Sequence, residues 1–382
     1  MEDNGRRGQL SAPGRLEAGT VIVPEAPRVP ARPLAEVAAE AGLKLSGARP
    51  SLGKYLSMLW QRRHFIIGFA TARNVSMYTE AKLGQLWQVL TPLLNAGVYY
   101  LIFGLLFQAS RGVQHYPAFL LAGVFVFAFT ERSIVTGSNV MRANIQLIRA
   151  LYFPRASLPL AYVIVELEQM LVGMIVLFPV MLVSGEPLTW YWFLMVPAVV
   201  LQTAFNIGAA LIVARLGGSL ADVSELIPFI LRITRYFCGV MYMVTTLPAK
   251  VPTWGIKLLS LNPPAVYISL VRTALMTTYR NDSPGAKPYS AFYCNAFKAN
   301  DGGYSKVLAN GHYLPLPSDT VVHGSYTAVG HFLVVPNAIL QAYCPAVVTT
   351  SDLWLAGLGW GLGFFVIGVL FFWQAESLYG RG

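Results

Sequence analysis

The chain has 382 residues, of which 55% are hydrophobic and only 12% charged, with a mean hydropathy of +0.53. A soluble protein carries roughly twice that charged fraction, so the composition excludes a pair of ordinary soluble domains, and with them disorder, coiled coil and collagen over most of the length. The net charge of +10, from 28 Lys and Arg against 18 Asp and Glu, belongs to basic residues that crowd the first 82 positions and flank apolar runs. That is the positive-inside pattern of an all-α polytopic membrane protein, not a surface for nucleic acid.

Residues 1–50 are rich in Pro, Ala, Gly, Arg and Glu and nearly lack aromatics. Such a segment buries too little apolar area to offset its ordering entropy, and it has no apolar core of signal-peptide type; it reads as a disordered cytoplasmic tail. In residues 51–76, Leu52, Tyr55, Leu56, Leu59, Trp60, Ile66, Ile67 and Phe69 recur at helical spacing, with Lys54, Arg62, Arg63 and Arg73 interspersed. A basic amphipathic helix with Trp and Tyr belongs at the headgroup level of a membrane.

Six spans follow, each near the roughly 20 residues needed to cross the hydrocarbon layer. They are expected at 86–107, 117–139, 160–183, within 187–214, at 226–247 and at 353–375, the first five inside a block covering 77–253. Between the fifth and sixth, residues 254–278 are interrupted by Pro263-Pro264 and read as two short helices that dip into the outer leaflet and return. Residues 279–351 form a large extracytoplasmic loop, and 352–382 hold the last span and a short tail. An even span number with Arg142, Arg149, Arg155 and Arg215 on one side puts both termini in the cytoplasm. Cys294 and Cys344 share the outer loop, on the oxidising side of the membrane. A disulfide between them closes about 50 residues, worth about 3–4 kcal/mol by loop entropy.

The chemistry of the sequence is mostly one of absences. No Gly-x-x-x-x-Gly-Lys-Ser/Thr loop occurs to cradle ATP, no His/Cys cluster has metal-ligand spacing, and no Gly-x-Ser-x-Gly elbow appears. No enzyme activity and no cofactor are therefore expected of this chain. Charges inside the apolar runs are the sharpest oddity: Glu131, Glu166 and Glu168 are matched in number by Arg132, Arg232 and Arg235. Charge at membrane depth is costly unless paired or wetted, so these residues form static ion pairs between spans, the polar lining of a conduit, or a proton relay. Glu166 and Glu168, two apart, do not share a helix face. Trp87, Tyr99, Tyr100, Phe125, Phe129, Tyr236 and Tyr242, with Glu131, are the candidates for lining a passage; most such aromatics simply pack or face lipid, while a minority suits the C–H faces of sugar rings.

The order of motifs resembles a known family. In the run 82–107, Leu83-Gly84, Trp87 and Leu90-Thr91-Pro92 are similar to the start of span one in type-2 ABC-exporter permeases for polysaccharides. Phe153-Pro154-Arg155 and Leu158-Pro159 resemble that family's cytoplasmic connection, and Leu261-Asn262-Pro263 followed by Arg272 resembles its motif after span five. The ending FFWQAESLYGRG is also similar. Two departures stand out: Ala221-Asp222 replaces an Arg-Asp before span five, and the outer loop is longer than usual. That loop, the Arg-rich composition and the tail look most like the Wzm-type galactan exporters of mycobacteria.

The resemblance implies a permease subunit in the inner membrane, paired with a second copy of itself. A separate Wzt-type ATPase subunit would bind the ATP and Mg that this chain lacks the loop for. The cargo implied is a polyprenyl-pyrophosphate-linked glycan, with a cell-wall galactan as the narrower expectation; teichoic acid or O-antigen export is the alternative, and a membrane glycosyltransferase the reading from another class. Leu147, Phe153, Pro154 and Arg155 are the expected coupling contacts with the ATPase. Arg62, Arg63, Arg73 and Lys82 are the expected contacts for pyrophosphate or lipid headgroups.

Overall fold

The computed structural model describes residues 50–77, 82–106, 115–151, 153–242, 244, 253–279, 295–298, 304–307, 313–315 and 348–376. The N-terminal tail, most of the outer loop and both Cys294 and Cys344 lie outside the described residues, and so does the expected disulfide.

Two helices come first, α1 (Leu52–Gln61) and α2 (Arg63–Ser76), separated by a break at Arg62. The interfacial segment is therefore two helices where the sequence pattern reads as one. A 3-10 turn (Gly84–Leu86) leads into α3 (Trp87–Tyr99), which continues as a π-helical stretch, Tyr100–Leu106. Next come α4 (Tyr116–Ala143), the short α5 (Ile145–Ala150), α6 (Ser157–Val183), and α7 (Met195–Ser219) with a 3-10 lead-in at Trp190–Leu194. The helical set closes with α8 (Ala221–Phe237), α9 (Thr253–Leu261), α10 (Pro263–Leu275) and α11 (Thr350–Ala375). Three short strands, β1 (Asn295–Lys298), β2 (Tyr304–Val307) and β3 (Tyr313–Pro315), form an antiparallel sheet in that order, with Asn295 opposite Val307 and Val307 opposite Tyr313.

Among the described residues, four helices are long and apolar enough to cross a membrane: α4, α6, α7 with its lead-in, and α11. Their ends follow local chemistry. Pro117 sits in the first turn of α4, where its missing N–H costs nothing. Thr349 and Asp352 form a reciprocal capping box at the start of α11. The helix break expected at Pro263-Pro264 is present. Asn262 caps α10 by accepting the Ala265 N–H at 3.1 Å, and the two prolines fill its first turn.

The core is centred on α4, whose Phe119, Phe125, Phe127 and Phe129 are all buried against α6, α7 and α10. Helices α7 and α11 approach most closely at Gly208, where a Cβ would overlap the Phe364 carbonyl. Helix α10 is buried from Pro264 to Leu275, so it is an internal element of the bundle and not one that meets lipid along its length.

Span five departs from expectation. The apolar run predicts a helix over 226–247, whereas α8 begins at Ala221 and ends at Phe237. Gly239 has φ +70°, the left-handed region that terminates helices. The carbonyls of Gly239 and Val240, which a continuing helix would use, accept hydrogen bonds from Arg272 at 2.8 and 2.7 Å.

Candidate functional site: a polar seam and a basal latch

Four of the charged residues within the helices, Glu131, Arg132, Glu166 and Arg235, form a seam across α4, α6 and α8, which Tyr99 of α3 joins. Glu131 and Arg132 are neighbours on α4, so their side chains diverge by about 100° and serve different partners. Glu131 pairs with Arg235 of α8, which also donates to the Tyr99 hydroxyl of α3 at 2.5 Å and stands 5.3 Å over the Phe127 ring. Arg132 instead donates to Gln169 Oε1 of α6 at 2.7 Å. A cavity of about 80 Å³ lies among Asn95, Tyr99, Phe127, Glu131, Arg132 and Arg235. A smaller one of about 10 Å³, bounded by Phe125, Phe129, Glu166 and Gln169, shares Ala128 and Arg132 with it. Glu166 Oε2 and Gln169 Nε2 are buried with no hydrogen-bond partner among the described residues. Buried polar atoms of this kind take water, and the larger cavity has room for several molecules at the roughly 10–15 Å³ that one requires.

Of the three charge pairings the sequence allows, the described residues carry one, between Glu131 and Arg235. Glu166 faces α4, while Glu168 points the other way and accepts from Asn74 at 2.9 Å and Thr71 at 3.4 Å on α2, as a two-residue spacing requires. Arg232 is exposed, on the outer side of α8 with Phe229 and Tyr236. The aromatic candidates also separate. Tyr99, Phe125 and Phe129 meet the seam cavities; Trp87, Tyr100 and Tyr236 are exposed at 39%, 37% and 51%; and Tyr242 donates to the Tyr236 carbonyl at 2.9 Å.

At one end of the bundle a second polar site joins three parts of the chain. The Tyr55 hydroxyl of α1 donates to Glu376 Oε2 at 2.9 Å, the Arg155 N–H donates to Glu376 Oε1 at 3.0 Å, and Arg155 Nη1 donates to the Glu376 carbonyl at 2.9 Å. The Ala156 N–H reaches the Tyr55 oxygen at 3.4 Å, and Trp373 Nε1 donates to the Pro50 carbonyl at 2.9 Å. Burial pushes the Glu376 carboxyl above its ordinary range despite the Arg155 N–H and Tyr55 hydroxyl that favour its charge. Burial, and then the Glu376 charge, raise the Tyr55 phenol. This latch ties α1, the turn before α6 and the end of α11.

The expected coupling residues fall on both sides of it. Phe153 and Pro154 are buried, Phe153 with its ring 5.7 Å from Phe65 of α2, and Arg155 is held in the latch. Leu147 is half-buried on α5, and the exposed surface there belongs to Ile145, Gln146 and Arg149. Arg62, Arg63, Arg73 and Lys82 are all exposed; Arg63 stacks 5.2 Å over Trp60, and Arg73 lies 5.6 Å over Tyr162.

Sequence reasoning missed Tyr55 and Glu376 as partners, and it missed the weight of Arg272. That residue is fully buried, donates also to the Phe119 carbonyl at 3.1 Å and lies 3.3 Å from the Phe119 ring centre. An arginine inside an apolar run was the available signal. Among the described residues, no group of three or more His, Cys, Asp or Glu is placed to hold a metal ion.

Four membrane-length helices, a polar seam between them and an amphipathic pair at one end mark an integral membrane protein. The chain belongs to the ABC-2 type transporter family, whose model matches residues 67–276. Its relatives include two O-antigen export system permease proteins of Klebsiella pneumoniae, 29% and 27% identical over 45% and 53% of this chain. A third, from Myxococcus xanthus, is 23% identical over 61% of the chain. The matches cover 66%, 77% and 87% of those proteins' own lengths.

Proposed function

We propose that this chain is the permease subunit of an ABC exporter that carries a lipid-linked polysaccharide across the cytoplasmic membrane, driven by a separate ATPase of Wzt type. The observation that carries the reading is the polar seam of Glu131, Arg132, Arg235 and Glu166, with its two cavities and its unpartnered Glu166 and Gln169 atoms. Ionisable groups within a bundle of spanning helices cost several kcal/mol unless they face partners or a wet path, and a polar cargo supplies the reason to keep them.

In this reading two copies, each with six spans and both termini cytoplasmic, enclose the passage. Beyond the four membrane-length helices, the first and fifth crossings fall to α3 and α8. Polymer passes the aromatic and charged residues of the seam while its lipid tail stays in the membrane. The pyrophosphate meets the exposed guanidinium groups of Arg62, Arg63 and Arg73 or the Lys82 ammonium, through charge-assisted bonds. The ATPase presses on the α5 tip, and the buried Phe153 and the latched Arg155 pass that movement to α1, α6 and α11. Replacing Phe153 or Arg155 therefore lowers export more than ATP hydrolysis; unchanged export in both variants overturns the assignment.

The cargo has two readings. The long segment between α10 and α11 favours a cell-wall galactan, by its likeness to actinobacterial exporters; the names of the relatives favour O-antigen-like polymer equally. The test is depletion. Loss of the protein leaves completed lipid-linked glycan on the inner leaflet, and the sugar composition of that material decides between the two. Normal delivery of glycan without the protein refutes both, and sugar transfer by the purified chain alone replaces them with a glycosyltransferase.

A further inference from the structure

Below α1 and α2 lies a groove of about 630 Å³ whose apolar walls the transport reading does not use, although it counts Arg63 at the rim among the pyrophosphate contacts. Leu160 of α6, Ile207 and Leu211 of α7 and Val369 of α11 wall it, and Trp60 and Arg63 stand at its rim. Three of the four membrane-length helices thus form its floor, and the amphipathic pair forms its roof. The walls offer almost nothing to a water molecule: the Tyr55 hydroxyl, the obvious polar group, is turned to Glu376. Apolar cavities stay dry and take apolar guests, and the volume falls within the roughly 300–1,000 Å³ of small-molecule sites.

The rim supplies the second half of the argument. Residues 51–76 hold Lys54, Arg62, Arg63 and Arg73 and no acidic residue. The Arg63 guanidinium donates to the Trp60 carbonyl at 3.2 Å and stands over the indole, 5.2 Å from its centre. That bond uses one of its five N–H donors, and the residue is exposed. A hydrocarbon-shaped slot with a fixed cation at its mouth matches one ligand chemistry.

We propose that this groove is a phospholipid site: it holds one acyl chain of an anionic glycerophospholipid, with the lipid phosphate on Arg63. The bound chain fills the space between roof and floor and so fixes the height of α1 and α2 over α6, α7 and α11. The proposal needs only a membrane and no glycan or ATPase, so its failure leaves the export reading standing, and the reverse.

The test is native mass spectrometry of the full chain released from micelles holding equal phosphatidylglycerol and phosphatidylcholine. One phosphatidylglycerol per chain is expected to survive activation that strips other lipid, retained about tenfold over phosphatidylcholine, as one charge-assisted contact allows. Val369→Phe, which fills the floor, abolishes that retention, and Ile207→Phe does the same by an independent route if the first variant fails to fold. Arg63→Gln keeps one lipid but equalises the two headgroups. Retention undiminished in a folded filling variant, or no headgroup preference in the unaltered chain, overturns the proposal. So does a lipid that binds only after residues 1–49 are deleted, because that segment is then the occupant.

Discussion

Removing a single oxygen from the basal latch tests whether α1, the turn before α6 and the end of α11 act as one unit. Tyr55 is 1% exposed, and its hydroxyl both donates to the Glu376 carboxylate and receives the Ala156 N–H. Tyr55→Phe deletes a hydrogen bond to a charged acceptor, worth about 1.5–3 kcal/mol, while the 3.4 Å contact with Ala156 is too long to add much. Glu376→Gln keeps the shape but removes the charge. The double-mutant cycle isolates the link between them, with an expected coupling of about 1.5–3 kcal/mol. Equilibrium unfolding of the purified protein in mixed micelles measures each corner. Strictly additive single effects refute the reasoning, because then the Tyr55 hydroxyl and Glu376 carboxylate do not share an interaction. A coupling that persists when Glu376→Gln is replaced by Trp373→Phe as the partner mutation also refutes it, since Trp373 bonds Pro50 and not Tyr55.

Three further outcomes follow from the packing. In the seam, Glu131→Gln alone strands the Arg235 charge and lowers stability by at most about 3–5 kcal/mol; adding Arg235→Gln restores part of the loss, and a thermal-shift series showing the double variant worse than either single one contradicts the pairing. Gly123→Ala places a Cβ on the Arg272 guanidinium, so it and Arg272→Met share one phenotype, loss of folded protein by size-exclusion profile; a monodisperse Arg272→Met protein argues against a structural role for the bonds from Arg272 to Phe119, Gly239 and Val240. At the α7–α11 contact, Gly208→Ala overpacks two backbones and costs about 1–3 kcal/mol, read as a lowered unfolding midpoint, whereas Gly359→Ala, with open space around it, leaves that midpoint unchanged.

The long helices were readable because hydropathy and length are local properties, and the break at Asn262-Pro263-Pro264 was readable because capping is local too. Span five was misjudged for the same reason. The apolar run continues through Cys238, Val240 and Met241, and only the left-handed Gly239 together with a distant Arg272 ends the helix. The seam was half legible: the Glu and Arg residues stood out within apolar runs, but which of them meet depends on helix packing, and Arg132 took Gln169 in place of a carboxylate. The latch could not be read at all. Tyr55 and Glu376 are 321 positions apart, and nothing in either neighbourhood marks the other.

The glycine contact between α7 and α11 has a mechanical meaning. Two rods whose backbones touch at Gly208 and Gly368 have no side-chain cushion at that point. Phe205 against Phe364 and Arg215 against Phe371 lock them further, so they are expected to tilt and translate as one beam. Any opening is thereby expected at the more lightly held members, α3 with its π-helical end and α8 with its outward apolar flank. Opening of that kind is expected to be asymmetric, with the glycine-joined wall staying put while the other swings.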